Sequence, residues 1–245
     1  MAEAISEKQT SRRFDLARVF ATLTRPRVAF ETAKEEARAS WSTPMLVLSL
    51  TSLLVILVTG YFKTQAAMMG EIPLPLGWEW WSPSMKDSFM QAQALRQGTV
   101  FMYVIPLVGV WARLWLGWVA LAGLLHLGST VLGGRGSMQS ALSVTAWALL
   151  PFALRDLLRI GYMLVEGSVI ASPGLSGFAT GVFLTQVLAR VDLFLIWCIV
   201  LMIIGFAVTD GMPRLKAFIN VAIVMLILLS VQAGLGSALA RIGIT

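Results

Sequence analysis

Six charged residues lie where the sequence around them is apolar: Arg113, Arg155, Asp156, Arg159, Arg190 and Asp192. Each falls inside a stretch long and greasy enough to cross a bilayer. An unpaired charge at the centre of such a helix costs about 2.5–3.5 kcal/mol on insertion scales. These six must therefore face one another, a cavity, a partner or the headgroups. Asp156 stands ten residues before Glu166, about 15 Å along a helix, and Asp192 eight residues after Leu184, about 12 Å. The two carboxylates are thus expected at comparable depth on neighbouring antiparallel helices. Three chemistries fit: an ion pair between a carboxylate and an arginine of the next helix, a cationic pocket for a lipid phosphate or anionic substrate, or a proton or ion path. Four arginines against two aspartates leave a net +2 for the pocket. Arginine does not release its proton, which makes it a clamp rather than a relay.

A second candidate is Ser176 in Gly174-Leu175-Ser176-Gly177. A serine nucleophile needs a base within hydrogen-bond reach. The single histidine, His126, is expected near the inner end of the second span, whereas Ser176 is expected near the outer face. Most of a membrane thickness separates them, and His126 reads instead as an interior or interface histidine. No GxxxxGK[ST] loop and no HExxH pair occurs in the sequence. The single cysteine, Cys198, excludes an internal disulfide and a cysteine-based cluster, and one histidine argues against a zinc or haem site. No cofactor, metal or catalytic residue is expected. The twelve methionines are scattered and read as packing residues.

The elements that must position these residues follow from hydropathy. The chain is 57% hydrophobic and 13% charged, with a mean hydropathy of +0.78, against about 25% charged for a soluble domain. A spanning helix needs roughly 20 mostly apolar residues. Charge-free runs such as Ala39–Phe62, Leu114–Gly134, Gly136–Leu154 and Ala217–Ala240 supply them. The reading is an all-α polytopic membrane protein with five transmembrane helices. They are expected near residues 44–62, within 99–131 with a kink at Pro106, and near 140–165, 184–208 and 213–238. Residues 1–42 form an N-terminal cytoplasmic segment and residues 43–240 the membrane domain. No signal peptide is expected, because the first apolar run begins only near Pro44.

Charge sets the orientation. Eleven basic residues fall on one side of this threading (Lys8, Arg12, Arg13, Arg18, Arg25, Arg27, Lys34, Arg38, Arg135, Arg214, Lys216) and four on the other (Lys63, Lys86, Arg96, Arg241). That places the N-terminus in the cytoplasm and the C-terminus outside. The net charge of +6 is topogenic on this reading and implies no nucleic acid. Leu16, Val19, Phe20 and Leu23 follow helical spacing, and a second amphipathic segment opens at Pro26. Both either lie in the headgroup layer, with Arg12, Arg13 and Arg18 toward anionic lipid, or pack as a pair on the protein. Outside, Trp78, Trp80 and Trp81 read as interface anchors or as a partner surface. Ser84 and Asp87 suggest a capping box behind them. The glycine-rich stretch 166–184 is either a loop or dips into the membrane edge, and Gly177 and Gly181 form a small-xxx-small pair.

Taken together, several segments resemble a known family. Arg25-Pro26-Arg27-Val28-Ala29-Phe30-Glu31 precedes Thr43-Pro44. Gly133-Gly134-Arg135-Gly136-Ser137 opens the third span and Ala146-Trp147-Ala148-Leu149-Leu150-Pro151 follows. Val191-Asp192-Leu193-Phe194-Leu195-Ile196-Trp197 begins the fourth. Their order over residues 25–238 resembles the Yip domain family, above all its bacterial members. The resemblance implies a non-enzymatic five-span protein of the bacterial cytoplasmic membrane. It also implies an accessory role beside exporters built from a MacB-type ABC permease, or a membrane-organising factor. Expected partners are the bilayer and other membrane proteins, transporter subunits or further copies of the chain. Asp192, Phe194 and Trp197 match the family's fourth-span pattern. The Asp-Leu-Tyr-Gly-Pro type motif of the GTPase-binding eukaryotic relatives is absent. The other reading is a small transporter or lipid carrier working through the Arg/Asp set. The Gly-Leu-Ser-Gly element is similar to the nucleophile motif of rhomboid-type proteases, but those place their histidine after the serine, and none follows here.

Overall fold

The computed structural model describes residues 15–35, 41–69, 74–170, 174–178 and 181–241. Among them every regular element is helical. Two short helices come first, α1 (Leu16–Thr24) and α2 (Pro26–Glu35), then a long α3 (Ser42–Met68). On the far side, a 3₁₀ turn (Trp78–Trp80) leads into α4 (Pro83–Arg96). A π-helical turn (Val100–Val104) runs straight into α5 (Ile105–Val131). The remaining helices are α6 (Met138–Ala148), α7 (Leu150–Glu166), α8 (Val182–Leu188), α9 (Leu193–Thr209) and α10 (Arg214–Arg241).

Four units are long and apolar enough to cross a membrane: α3, the π turn with α5, α6 with α7, and α10. The pair α8–α9, bent by 61°, makes a fifth if counted as one span. The kink expected at Pro106 takes the form of the π turn just before it. Proline has no N–H for the preceding turn, and a wider turn absorbs the loss. The third span breaks at Leu149, two residues before Pro151, for the same reason.

The fourth span differs from the straight 184–208 helix the hydropathy suggests. Asp192 takes extended backbone angles and its carboxylate Oδ1 accepts the Leu195 amide at 2.8 Å, which starts a new helix there. Two smaller expectations also shift. The N-cap of α4 is Ser82, which accepts the Met85 amide, rather than Ser84. Gly181 stands at the start of α8 at φ +97 with open space around it, so Gly177 and Gly181 do not pack two helices together.

The core is built around α6. Residues 143–151 are all buried, Trp147 at 1% exposure among them. Helix α6 packs on α5 and α9, while α7 turns toward α3 and α9. The first two helices do not float on the headgroups. Helix α2 packs on α9, with Phe30 against Gly205 and part of the core. The Asp15 amide donates to Thr43 Oγ1 at 3.0 Å and ties the start of α1 to that of α3. Leu16, Phe20 and Val28 stay exposed on the outer face of the pair.

Candidate functional site

The chain brings four of the six charged residues to one place. Arg155 on α7 donates from Nη1 to Asp192 Oδ2 at 3.4 Å, and its Nε lies 3.6 Å from Asp156 Oδ1. Its guanidinium also lies over the Phe152 ring, 4.3 Å from the centroid. The pairing is between helices, as the spacing of the two aspartates suggests. Position follows from local structure: Arg155 and Arg159 stand one turn apart on α7 with Asp156 next to Arg155, and Asp192 is held at the mouth of α9 by its capping bond. Around them opens a cleft of about 260 Å³ lined by Arg155, Arg159, Tyr162, Gly174, Asp192 and Phe194. Gly174 fits there because its φ is +61 and a side chain would strike the Leu188 carbonyl oxygen. Leu175 donates its amide to that same carbonyl at 2.9 Å, so the glycine-rich loop folds back over the end of α8.

The other two arginines lie apart from this group. Arg190 turns back on α8, donating from Nη1 to Gln186 Oε1 at 3.0 Å and to the Gln186 carbonyl. Arg113 stands exposed on α5, close enough to Arg190 for the two charges to repel. No carboxylate pairs with either among the described residues.

The aromatic candidates divide. Trp78, Trp81 and Phe89 make a cluster with ring centroids 5.2–5.9 Å apart, and Lys86 sits over Trp78 at 5.7 Å. Trp80 points away at 88% exposure. Phe194 lines the cleft, whereas Trp197 packs against the core. Arg12 and Arg13 lie outside the described residues. Arg18, read from the sequence as a cation facing lipid, is instead 8% exposed. Its guanidinium lies 4.7 Å from the centre of the Trp147 ring and donates to the Ala29 carbonyl, because α1 is docked against α6. Ser176 lies in a short 3₁₀ turn, while His126 is on α5 five residues from its end at Val131.

One polar cluster escaped the sequence reading. At the opposite end of the bundle Asp210 is 4% exposed, and it accepts hydrogen bonds from Ser129 Oγ and Thr209 Oγ1. The Arg135 amide donates to its carbonyl at 3.2 Å. A Cβ on Gly136 would lie 2.0 Å from Asp210 Oδ1, and one on Gly134 would strike Ser129. Nearby Asn220 donates to the Leu125 carbonyl at 2.8 Å across the bare face of Gly128. The usable signal was the glycine run 133–136 read together with the lone acid after the fourth apolar stretch. These residues join the α5–α6 and α9–α10 turns into one structural joint.

Comparison with curated proteins and with solved structures gives no match. The family model of the Yip1 domain matches residues 20–235. That interval runs from α1 to the last turns of α10 and includes the docked N-terminal helices, the glycine joint and the Asp192 break. With most of its length matched, this chain belongs to the Yip1 domain family.

Proposed function

We propose that this protein works by binding other membrane proteins and carries no catalysis of its own. The observation that carries the reading is Arg113. It is exposed on a helix whose apolar stretch is only 11% buried, against 61% for the α6–α7 span. Eighteen residues separate it from Val131, about 27 Å of helix, within a hydrocarbon core of about 30 Å. That depth puts an outward-facing guanidinium at the far edge of the hydrocarbon, where an acidic or carbonyl group of a partner helix competes with lipid headgroups for it. Gly109 and Gly117, one turn to either side, have nothing within 4 Å of a would-be side chain, so a second helix can come close. Trp111, Trp115, Leu116 and Val119 complete the exposed surface.

In its finer form the role is that of an accessory subunit of an ABC exporter of the MacB type, or of a membrane-organising factor. The setting is the bacterial cytoplasmic membrane with the basic N-terminus inside; the charge asymmetry of the termini and loops supports that orientation. The test is purification in mild detergent from the native membrane. The wild type should carry a stoichiometric membrane partner or a second copy, and Arg113→Leu should release it with the fold intact. A wild type that runs alone as a monomer, unchanged by Arg113→Leu, refutes the reading.

The cleft at Arg155, Arg159 and Asp192 favours a second reading, a small transporter or lipid carrier. Flux of an anion or lipid in reconstituted vesicles that Arg159→Gln abolishes would establish it, and absence of flux would remove it.

A further inference from the structure

Phe30 of α2 presses on α9 where Gly205 leaves room for its ring. Beside that contact the two helices diverge and leave a groove of about 830 Å³, within the roughly 300–1,000 Å³ of small-molecule sites. Its floor is one face of α9, with Ile204, Ala207 and Val208 on successive turns. Its polar end is made by Arg27 and Glu31 of α2 and by Arg214 at the start of α10. Arg27 and Glu31 pair with each other at 3.0 Å, and no carboxylate pairs with Arg214 among the described residues. Two guanidiniums against one carboxylate leave a single excess positive charge.

We infer that this groove holds one anionic phospholipid of the leaflet on the side of the N-terminal helices. The phosphodiester of a lipid with no headgroup cation supplies the single net negative charge that the polar end lacks and meets Arg214 with Arg27 beside it, whereas the choline of a zwitterionic lipid would bring a further positive charge to the two guanidiniums. One acyl chain lies along Ile204, Ala207 and Val208. The floor belongs to α9, the long apolar half of the bent α8–α9 span, so hydrocarbon reaches it directly from the membrane. The charges stand where α9 ends and α10 begins, at headgroup level. A free phosphate would leave the apolar floor empty, whereas a soluble peptide would have to enter hydrocarbon to reach it. The inference concerns a face separate from α5 and stands whether or not Arg113 meets a partner.

The test is native mass spectrometry of the delipidated full chain after addition of phosphatidylglycerol or phosphatidylcholine. The wild type should retain one phosphatidylglycerol per chain, with about tenfold preference over phosphatidylcholine, the equivalent of one charge-assisted contact. The double variant Arg27→Gln, Arg214→Gln should erase the preference. Ala207→Trp, which fills the floor and keeps the charges, should lose both lipids. Melting temperature reports the fold of each variant. Should Ala207→Trp not fold, the charge variant alone decides, because its positions are exposed. Equal retention of the two lipids by the wild type overturns the inference. So does a preference that survives the charge variant, or displacement of the lipid by an equal concentration of inorganic phosphate.

Discussion

Asp192 uses its two oxygens for two separate tasks, and two substitutions can tell them apart. Oδ1 caps α9 through the Leu195 amide, and Oδ2 receives Arg155. Asp192→Asn keeps a good capping oxygen and removes the charge, whereas Asp192→Ala removes both. A lost N-cap is worth about 1 kcal/mol. A hydrogen bond to a charged partner is worth about 1.5–3 kcal/mol, and the 3.4 Å length argues for the low end. Solvent does little to weaken the pair, since the side chains are 22% and 15% exposed. Arg155 keeps a second acid in ion-pair range, Asp156 Oδ1 at 3.6 Å from its Nε, although that distance is too long for a hydrogen bond and the Nε is buried without one, which also argues for the low end. The expected losses are about 1.5 kcal/mol for Asp192→Asn and about 2.5 kcal/mol for Asp192→Ala. At roughly 2–4 °C per kcal/mol for a chain of this size, melts in a single detergent should fall by about 3–6 °C and about 5–10 °C. Adding Arg155→Met to Asp192→Asn should deepen the loss, because the part-buried Asp156 carboxylate then loses its nearest cation. If Asp192→Asn melts with the wild type, the ion pair contributes nothing. If it melts with Asp192→Ala, the cap contributes nothing.

Gly136→Ala should destabilise the bundle by about 1–3 kcal/mol, because its Cβ would fall 2.0 Å from Asp210 Oδ1 in a buried joint; a thermal melt reads it. Gly205→Ala places a Cβ 2.5 Å from Val144 Cγ1 and 3.3 Å from the Phe30 ring, so it should press α9 away from α6 and lower the melting temperature, and it should loosen the seat of α2 as well. A thermal melt reads the first effect, and faster proteolysis near Arg25 and Arg27 reads the second. Arg18→Ala should lower the melting temperature by an amount matching about 0.5–2 kcal/mol, the worth of a cation over an indole. It should leave binding to anionic vesicles unchanged, since the group faces Trp147; a salt-dependent loss of vesicle binding would contradict that placement.

Fold class was legible because the run length of apolar residues is itself the physical requirement for crossing a bilayer. The interhelical ion pair was legible for a related reason: two acids at matched depth have few other ways to sit in a span. The bend before α9 was not, because hydropathy averages over the one residue that matters. Asp192 reads as a charge in a span until its capping bond is seen, and then as the end of one helix and the start of another. The docking of α1 and α2 was equally hidden. Their amphipathic pattern fits a headgroup layer or a protein surface alike, and only Phe30 in the notch at Gly205 decides between them. Asp210 went unnoticed because an acid beside a turn usually points to water.

Lipid also explains which contacts set the arrangement. Apolar surface gains little by leaving one hydrocarbon for another, so helices in a bilayer are registered by close approach and by polar links. The hydroxyl of Thr145 in the central helix returns to its own chain at the Ala141 carbonyl, and that of Thr22 returns to Arg18. Such bonds satisfy the group but join nothing. Four of the links that do join helices are Trp118 Nε1 to the Leu142 carbonyl, Asn220 to the Leu125 carbonyl, Ser129 to Asp210, and Arg155 to Asp192. They run from α5 to α6, from α10 to α5, from α5 to the α9–α10 turn, and from α7 to the start of α9. The later helices are therefore tied to their neighbours at a few polar points, with glycine at the close approaches to Asn220 and Asp210. Arg113 on the uncovered face of α5 has no such tie among the described residues, which is why a second protein is the place to look for one.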